Sequence, residues 1–485
     1  MTRATAILVT LLAYKVTLIL IGVWASRRTH DDGDFYLGGR KLGPWVAALS
    51  ASASSSSAWT LLGVSGAAYA WGLSALWLFP ATLMGFIINW FWVAPRLMPM
   101  SRESRSLTLT EFLAGDAKHP LYPTIMRFSS VAILFSFMFY IASQFQAAGH
   151  AFASSFGLPA ATSIAIGAAI IVVYTLLGGF WAVSVTDTLQ GMLMVIAAIF
   201  LPLLALVHAG GPAALVASLR EVSDTGSLSL THGYPGILGL AFILGTLGIG
   251  LGYPGQPHVV NRFMALRDPE ALRRGRAIAI AWASFIYAGM LTLGLSGRVL
   301  FRGIADSEQI FFETANQLLP PVVAGIMIAA ILSAIMSTAD SQLLVASSSI
   351  SWDWRQAGRR PLDEHDVRGL RTTRVVVLLV SIAAIVLAIY APATIFTRVL
   401  FAWHALGSAF GPLLLVRLTG ARVDARFVLA AIATGFGLTV VLYLFPNAPG
   451  DAAERLIPFI CALAIAWLGK VKPALAPRED APKSS

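Results

Sequence analysis

Charged residues are scarce in this chain, at 12% of 485 residues, whereas hydrophobic residues make up 57%. An average soluble protein is about a quarter charged, so this composition and a mean hydropathy of +0.75 exclude a soluble globular protein. Cysteine is nearly absent too. Because Cys461 is the single cysteine, a disulfide or a cysteine-based metal site within one chain is excluded. The eight histidines are scattered without an H-x-x-x-H pair, and an enzyme is therefore the least favoured class.

The chain is rich instead in hydrophobic runs of about 20 residues, the length that crosses the core of a bilayer. These runs recur from end to end and predict an all-α membrane protein with about 13 transmembrane helices. The predicted spans are 5–25, 44–72, 74–98, 124–151, 160–178, 186–208, 236–258, 277–298, 318–347, 375–391, 394–417, 426–445 and 454–469. Because no polar segment is long enough to fold alone, we expect one transmembrane domain over 1–470 and a disordered cytoplasmic tail over 471–485.

The basic residues predict the orientation. If the amino terminus lies outside, most of the 34 lysines and arginines, Arg40 and Arg262 among them, fall on the cytoplasmic side, as the positive-inside rule requires. An odd number of spans then places the carboxyl terminus in the cytoplasm of a multi-pass protein of the plasma (inner) membrane. The net charge of +10 is explained by this topology and by anionic lipid headgroups, so nucleic acid is not an expected partner. Lys15 in the middle of the first span argues against a cleavable signal peptide.

Two predicted spans contain residues that break helices. The first stretch is LSASASSSSAWTLLG at 49–63, where consecutive serines compete for the hydrogen bonds of the backbone. The second is GTLGIGLGYPGQPH at 245–258, with glycines and prolines crowded into one crossing. In hydrocarbon each unsatisfied polar group costs several kcal/mol, so such backbone is tolerated only where it lines a cavity or is buried in protein. Broken helices in corresponding places of two halves mark the binding site of a transporter.

The two breaks fall in predicted spans 2 and 7, five crossings apart. Since five is odd, the second half is expected to be inverted relative to the first, as in a LeuT-type five-plus-five inverted repeat. We expect these repeats at about 44–208 and 236–417. The glycines of the second break partly match G-x-G-x-x-G, but no βαβ pattern surrounds them and a dinucleotide site is not favoured.

Four long segments resemble the solute:sodium symporter family and are most similar to its sodium/proline symporters. They are FYLGGRKLGPWVAALSASAS at 35–54, GGFWAVSVTDTLQ at 178–190, LGYPGQPHVVNRFMA at 251–265 and SAIMSTADSQLLVASS at 333–348. The resemblance covers roughly residues 5–470 in order. It implies secondary active transport, in which an inward-moving sodium ion carries a small organic solute, such as proline or a related zwitterion or carboxylate. A symporter for a different carboxylate and a transporter-like sensor without net translocation are the alternatives.

The resemblance implies a sodium site between the first break and the segment that contains MST. A dehydrated Na⁺ takes hard oxygen ligands, which unwound carbonyls and hydroxyls supply in such folds. The matching atoms are the carbonyls of Ala53, Ser56 and Ala334 and the hydroxyls of Ser337 and Thr338. Taken alone, the two hydroxyls would more commonly donate to carbonyls one turn earlier in their own helix.

Asp187 and Asp340 are ionisable residues at membrane depth, where a charge is costly and its default interpretation is functional. The resemblance implies a candidate second sodium site at Asp187, Ser337, Asp340 and Ser341, and helical spacing places the last three on one face. A helix N-cap at the membrane interface is the alternative for Asp187. Arg40 and Asp187 are also candidates for gating contacts on the cytoplasmic side.

The solute pocket is expected between the two breaks, where half-helix N-termini attract a carboxylate. Aromatic residues in membrane proteins more often pack or anchor at the interface, but Trp59 and Tyr253 adjoin the breaks. The positions nominated for solute binding are Ser55, Ser57, Trp59, Tyr140, Gln144, Tyr253, Gln256 and Pro257.

Two positions depart from the pattern of proline symporters. Ser55 stands where they usually carry an aspartate, and Ile249 stands where they carry a tryptophan. Ser55 removes a negative charge beside the ion site, and Asp340 is a candidate to restore that charge from the opposite helix. Ile249 removes an aromatic wall of the pocket, so the expected solute is a small zwitterion or carboxylate and not necessarily proline.

Overall fold

The computed structural model describes residues 3–26, 37–176, 180–358, 367–391, 393–445 and 448–471, and nearly all of them are helical. The helices are α1 (Arg3–Ser26), α2 (Pro44–Ser55), α3 (Val64–Trp71), α4 (Leu78–Ile87), α5 (Ala94–Glu103), α6 (Leu109–Ala114), α7 (Tyr122–Phe156), α8 (Ala160–Thr175), α9 (Phe180–His208), α10 (Gly211–Val222), α11 (Gly236–Gly248), α12 (Pro257–Met264), α13 (Pro269–Leu300), α14 (Ile310–Leu318), α15 (Pro321–Ser348), α16 (Trp354–Ala357), α17 (Val367–Tyr390), α18 (Ile395–Arg417), α19 (Ala425–Tyr443) and α20 (Ala452–Leu468). One antiparallel ribbon pairs β1 (Arg422–Val423) with β2 (Lys470–Val471). Val471 therefore does not belong to the predicted tail, whose other residues lie outside the described ranges, as do 35–36 and 178–179 of the quoted segments.

Every predicted span overlaps at least one of these helices, which confirms the all-α fold class. Within the described ranges, nine helical segments are long and apolar enough to cross a membrane, and two shorter apolar helices accompany them. The count of thirteen crossings stays a prediction. Large apolar side chains lie exposed on the outside of the bundle, for example Ile237 at 81% and Val207 at 71%. Such a surface is suited to hydrocarbon, not to water.

The first predicted break lies after α2. That helix ends at Ser55, and Ser56 leaves the helical conformation with φ −107° and ψ 14°. A widened helical turn over Trp59–Gly63 follows before α3 continues the crossing. The serines of this stretch are buried, so the interruption lies inside protein, as the sequence predicts.

Side chains satisfy the backbone groups that the first break frees. Gln144 Oε1, from α7, accepts the N–H of Ala58 at 3.0 Å. Ser57 Oγ accepts the N–H of Trp59 at 3.1 Å. Because a buried unpaired amide costs about 1–3 kcal/mol, these two bonds stabilise the broken conformation. Two of the nominated solute-binding side chains, Ser57 and Gln144, thus support the backbone of the break.

The second predicted break lies between α11 and α12. A tight helical turn over Ile249–Gly255 ends α11, and Gln256 is extended, with φ −89° and ψ 103°, before Pro257 begins α12. The glycines here permit close approach to α18. A Cβ on Gly252 would lie 2.2 Å from the indole nitrogen of Trp403. A larger residue at this glycine would therefore push α18 away from the break.

Helix packing brings the two breaks to different partners. α15 packs against α1, α2, α7 and α9, and it borders the first break. α18 packs against the tight turn of the second break, against α7 and against the widened turn of the first. The buried helices α15 and α18 thus line the two breaks and bring their own side chains to them.

Candidate ion and solute site

The hydroxyls of α15 reach across to the first break. Ser337 Oγ lies 3.2 Å from the carbonyl oxygen of Ala53 and 3.2 Å from that of Ala334. Thr338 Oγ1 donates to the carbonyl oxygen of Ser54 at 3.1 Å. The alternative, a hydrogen bond to a carbonyl one turn earlier in the same helix, therefore holds only in part, because only Ser337 makes such a bond. Both hydroxyls contact carbonyls of α2. Ser54 was not among the predicted ligands.

This arrangement concentrates hard oxygen atoms in a dry region. Ala53, Ala334, Ser337 and Thr338 are completely buried, and the unpaired lone pairs of carbonyl and hydroxyl oxygens are suitable ligands for a dehydrated alkali ion. A hydroxyl that donates to a carbonyl can rotate so that its lone pairs face an ion held between them. The residues present therefore fit a sodium ion. Ser56, the fifth predicted residue of the set, is buried at the turn itself.

Asp187 is engaged by an arginine that the sequence analysis did not assign to the site. Arg262 Nη2 lies 3.0 Å from Asp187 Oδ2, and each side chain is 1% exposed. Ser50 Oγ donates to the same carboxylate oxygen at 2.7 Å, and Arg262 Nη2 also donates to Ser341 Oγ at 2.6 Å. Arg262 further donates to the carbonyl of His258. One guanidinium thus links α12 with α2, α9 and α15.

One expectation about these charges needs correction. Asp187 lies inside α9, which begins at Phe180, so the N-cap alternative is wrong. Arg262, counted among the basic residues of the cytoplasmic side, is buried inside the bundle. Arg40 donates to Ser101 and to the carbonyls of Ser106 and Met264. Arg40 and Asp187 therefore contact different groups of residues.

The carboxylate of Asp340 faces α8. It accepts a hydrogen bond from Thr175 of that helix. Ser337, Asp340 and Ser341 share α15, but they contact the first break, α8 and Arg262 respectively. The Ser55 hydroxyl donates to the carbonyl of Ser52 at 2.9 Å. A common ion for Asp340 and position 55 therefore remains a prediction.

Aromatic rings lie between the two breaks. Trp59 packs against Phe396 of α18, with ring centroids 5.6 Å apart, and against Tyr287 of α13 at 6.3 Å. Tyr253 packs edge-on against Trp403 at 4.7 Å, and its hydroxyl lies 3.1 Å from that of Tyr287. The structure therefore brings the predicted Trp59 and Tyr253 to one aromatic cluster through Tyr287.

Tyr140 and Gln256, two further nominated residues, contribute polar atoms, and Pro257 begins α12 beside them. Tyr140 donates to Ser57 Oγ at 3.3 Å, and its ring lies 6.2 Å from that of His258. Gln256 Nε2 donates to the carbonyls of Gly252 and Trp403 at 3.0 and 2.8 Å. The two bonds of Gln256 hold the second break against α18, next to the aromatic cluster.

Sequence reasoning missed Tyr287, Trp403 and Phe396. They lie in uninterrupted helices, where a single aromatic residue resembles any other packing residue. Trp403 Nε1 donates to the carbonyl of Ile249 at 3.2 Å. An aromatic surface therefore lies beside Ile249 even though that position is aliphatic.

Most of the chain matches a known protein family. Residues 35–435 match the model of the sodium:solute symporter family. The "High-affinity proline transporter PutP" of Bacillus subtilis (strain 168) is 37% identical over 462 residues, covering 92% of this chain and 95% of that protein. The "Osmoregulated proline transporter OpuE" of the same strain is 35% identical and covers 93% and 92%. The "Sodium/proline symporter" of Escherichia coli (strain K12) is 36% identical over 454 residues and covers 91% and 88%.

Solved structures show the same fold. A Na⁺-coupled sialic acid symporter in a substrate-bound, outward-open state aligns with a TM-score of 0.76 at 17% identity, covering 96% of this chain and 98% of the other. MHP1, a nucleobase-cation-symport-1 family transporter, aligns with a TM-score of 0.55 at 14% identity, covering 89% and 93%. At this identity the likeness establishes the fold alone, which is the expected LeuT type. On the family model and the identity to its curated relatives over most of its length, the chain is a membrane transporter that belongs to the sodium:solute symporter family.

Proposed function

We propose that the protein imports a small zwitterionic amino acid, with proline as the first candidate, together with sodium by alternating access. The contact of the Ser337 and Thr338 hydroxyls with the carbonyls of Ala53 and Ser54 carries the proposal. It joins a broken helix to α15 through atoms that an alkali ion can bind. The names of the relatives as proline transporters support the choice of solute.

The ion site suggests how sodium and solute are coupled. Two hydrogen bonds connect α15 to the first break. The same carbonyls and hydroxyls would be the ligands of a bound sodium ion, which would hold the two elements together more strongly than neutral hydrogen bonds do. The break also carries Trp59, which belongs to the aromatic cluster. Ion binding would therefore fix one wall of the solute pocket.

We further propose that the amino terminus faces outward and the carboxyl terminus the cytoplasm of the inner membrane, as the basic residues indicate. The repeats at about 44–208 and 236–417 each contain one break, α2 to α3 and α11 to α12. In this orientation Glu308 lies at the extracellular end and Arg40 at the cytoplasmic end. Movement of one repeat against the other would open the site alternately to the two sides.

The energy available sets the limit of accumulation. One sodium ion that crosses about 100 mV contributes about 2.3 kcal/mol, and a tenfold sodium gradient adds about 1.4 kcal/mol. Together they would concentrate a neutral zwitterion on the order of 500-fold.

Uptake into proteoliposomes tests the proposal. The purified full-length protein is given labelled proline, other amino acids and small carboxylates, with an inward sodium gradient or with choline in place of sodium. Sodium-driven accumulation of a zwitterion supports the proposal. Uptake that ignores sodium contradicts the coupling, and accumulation of a carboxylate without an amine contradicts the assigned solute. Solute binding without accumulation would indicate a sensor.

Replacing Ile249 by tryptophan is expected to shift selectivity toward solutes the size of proline. Ile249 is 1% exposed in the second break, where its carbonyl accepts the indole N–H of Trp403. With the solute pocket proposed between the two breaks, a larger indole here would reduce the volume left for the solute. Competition of unlabelled amino acids against labelled substrate measures the shift. Ile249→Leu, which conserves volume, is the control and should leave the order of competitors unchanged. High-affinity proline uptake by the wild type that Ile249→Trp does not alter would place the pocket elsewhere.

Uptake is expected to fall when the external side is acidified through about pH 7, because of Glu308. Its carboxylate accepts the N–H groups of Ile395 at 2.9 Å and Phe396 at 2.7 Å, at the start of α18. Burial raises the pKa of Glu308 to about 7. When the start of α18 is docked on Glu308, the buried carboxyl therefore binds a proton more tightly than it would in an open state, where Glu308 is exposed and its pKa is ordinary. Acid thus favours the docked state, which keeps Phe396 over Trp59. Between the two pKa values, each pH unit changes this preference by about tenfold.

Initial uptake rates at saturating sodium, measured from about pH 6 to pH 8, test this dependence. Glu308→Gln removes the titrating group and should make the rate independent of pH in this range. Glu313→Gln is the matched control, since Glu313 contacts Gln317 on the exposed side of α14. An unchanged pH profile in Glu308→Gln would show that another group titrates.

A further inference from the structure

The turn that joins α4 to α5 exposes two aromatic rings near the end of a predicted membrane span. The helix widens over Ile88–Val93, where the N–H of Ala94 bonds to the carbonyl of Asn89, five residues earlier. Phe91 and Trp92 are 50% and 41% exposed on this turn. A widened turn displaces carbonyl groups from the regular bonding pattern of a helix and frequently accompanies a functional site.

Two arginines are held on this turn, one from each side. Arg96 of α5 has its guanidinium carbon 3.7 Å from the centre of the Trp92 ring and donates to the carbonyl of Trp92 at 3.1 Å. Arg276 of α13 lies 4.2 Å from the centre of the Phe91 ring and donates to the carbonyl of Trp90 at 3.1 Å. The two accepting carbonyls are two residues apart, so both guanidiniums lie on one short surface. Stacking and hydrogen bonds together fix two side chains that are otherwise flexible.

The charges of these two arginines are not balanced locally. Neither Arg96 nor Arg276 bonds to a carboxylate in the part of the chain that the structure describes. The neighbouring Arg273 and Arg274, by contrast, both bond to Glu270. A guanidinium carries five N–H donors, and the bonds described use one on each of the two arginines. The remaining donors can therefore bind an anion.

Buried packing sets the spacing of the two arginines. A Cβ on Gly275, the residue before Arg276, would lie 3.2 Å from the ring of Trp90 and 3.3 Å from the carbonyl oxygen of Pro44. Trp90 is 1% exposed, and its ring packs against that of Phe263 in α12 at 5.0 Å. The start of α13 is thereby fixed against the widened turn.

The surroundings indicate what kind of anion fits. Trp45, which follows Pro44, is 59% exposed and adds a third ring at this level of the bundle. Tryptophan is enriched where a membrane protein meets the headgroups, and basic pockets between transmembrane helices bind anionic headgroups. A planar guanidinium binds two phosphate oxygens at once. A soluble anion would leave the exposed rings unused, whereas a phospholipid also places acyl carbons against them.

We propose that Arg96 and Arg276, with the rings of Trp92 and Phe91, form a binding site for the headgroup of an anionic phospholipid. The two guanidiniums bind the phosphate from two helices, and the rings contact the glycerol and the first acyl carbons. A bound lipid would connect α5 to α13 and, through Trp90, support α12 after the second break. The site lies apart from the ion and solute site and does not depend on the solute that is transported.

Native mass spectrometry of the purified full-length protein, titrated with phosphatidylglycerol or phosphatidylcholine, tests the site. Arg96→Gln with Arg276→Gln should bind one phosphatidylglycerol fewer per chain than the wild type, and binding of phosphatidylcholine should not change. Thermal unfolding in detergent gives a second measurement, because a ligand stabilises the state that binds it. Phosphatidylglycerol should raise the unfolding temperature of the wild type more than that of the double variant. If the double variant inserts poorly, Arg96→Gln alone should weaken the binding of this lipid about fivefold.

Arg273→Gln with Arg274→Gln is the matched control. It removes two charges from the same end of α13, but these arginines are exposed and paired with Glu270, so the number of bound lipids should equal that of the wild type. An equal loss in both double variants would show that surface charge alone attracts the lipid and would overturn the site. Displacement of the lipid by inorganic phosphate would indicate a site for soluble anions instead. A dimer lost only in Arg96→Gln with Arg276→Gln, with lipid binding unchanged, would assign the surface to a second copy of the chain.

Discussion

Replacing Ser337 and Thr338 together by alanine is expected to abolish uptake at the sodium concentrations that saturate the wild type, while the protein still inserts into the membrane. The two hydroxyls face the carbonyls of Ala53 and Ser54 at 3.2 and 3.1 Å, so the double variant leaves an ion only carbonyl ligands. Each lost contact with a charged partner costs about 1.5–3 kcal/mol. Together they should raise the sodium concentration for half-maximal uptake by at least about a hundredfold.

A matched control separates this effect from the loss of any buried hydroxyl in α15. Ser348 is also buried, and its hydroxyl donates to Val345 of its own helix at 2.9 Å. Ser348→Ala should therefore leave the sodium dependence unchanged. Thr338→Ser, which keeps a hydroxyl, should retain most of the affinity of the wild type. If the double variant binds sodium like the wild type, these residues do not form the ion site.

The interruptions of the helices were predictable because their signals are local. Serines at 54–57 and the glycines and prolines at 245–258 weaken a helix wherever it lies, and both breaks occur where the sequence places them. The apolar runs predicted the helices for the same reason, since each run must shield its own backbone from lipid. The direction of the Ser337 and Thr338 hydroxyls was predicted from the family resemblance and not from spacing.

The partners of the buried charges could not be predicted, because they depend on distant parts of the chain. Arg262 meets Ser50 and Asp187, which lie on other helices far away in sequence. The positive-inside rule assigns Arg262 only to the cytoplasmic side, and tertiary packing decides that it is buried. In the sequence Lys15 argues only against a signal peptide, and its contact with Met336 depends on how α1 packs against α15. Periodicity locates helix faces, but it does not identify the neighbour that each face meets.

The hypothesis that Asp340 replaces the charge missing at Ser55 illustrates this limit. Helical spacing put Asp340 on one face with Ser337, and a shared ion followed naturally. In the structure Asp340 bonds to Thr175, whereas Ser337 faces the first break. The test remains a double-mutant cycle of Ser55→Asp with Asp340→Asn, read as the sodium concentration for half-maximal uptake. Strictly additive effects would show that the two positions do not share an ion.

Asp187→Asn is expected to cause a large loss of both stability and transport, because it leaves the guanidinium of Arg262 buried without its counter-ion. Both side chains are 1% exposed, and breaking such a pair from one side costs about 3–5 kcal/mol. The guanidinium also bonds Ser50 and Ser341, so the misplaced charge would disturb α2 and α15 together. Thermal unfolding in detergent measures the stability, and sodium-driven uptake measures the transport.

The double change Asp187→Leu with Arg262→Met distinguishes a structural role from a functional one. Apolar residues of similar volume often replace a buried ion pair at little cost, so the double variant should recover much of the stability that Asp187→Asn loses. Uptake should not recover. The pair joins α9 and α12. Alternating access needs contacts between helices that form in one state and break in the other, and apolar side chains do not supply the directional bonds of an ion pair. Glu270→Gln is the control: its exposed pair with Arg274 on α13 should be dispensable for both measurements. Full transport by the apolar double variant would show that the buried pair serves packing alone.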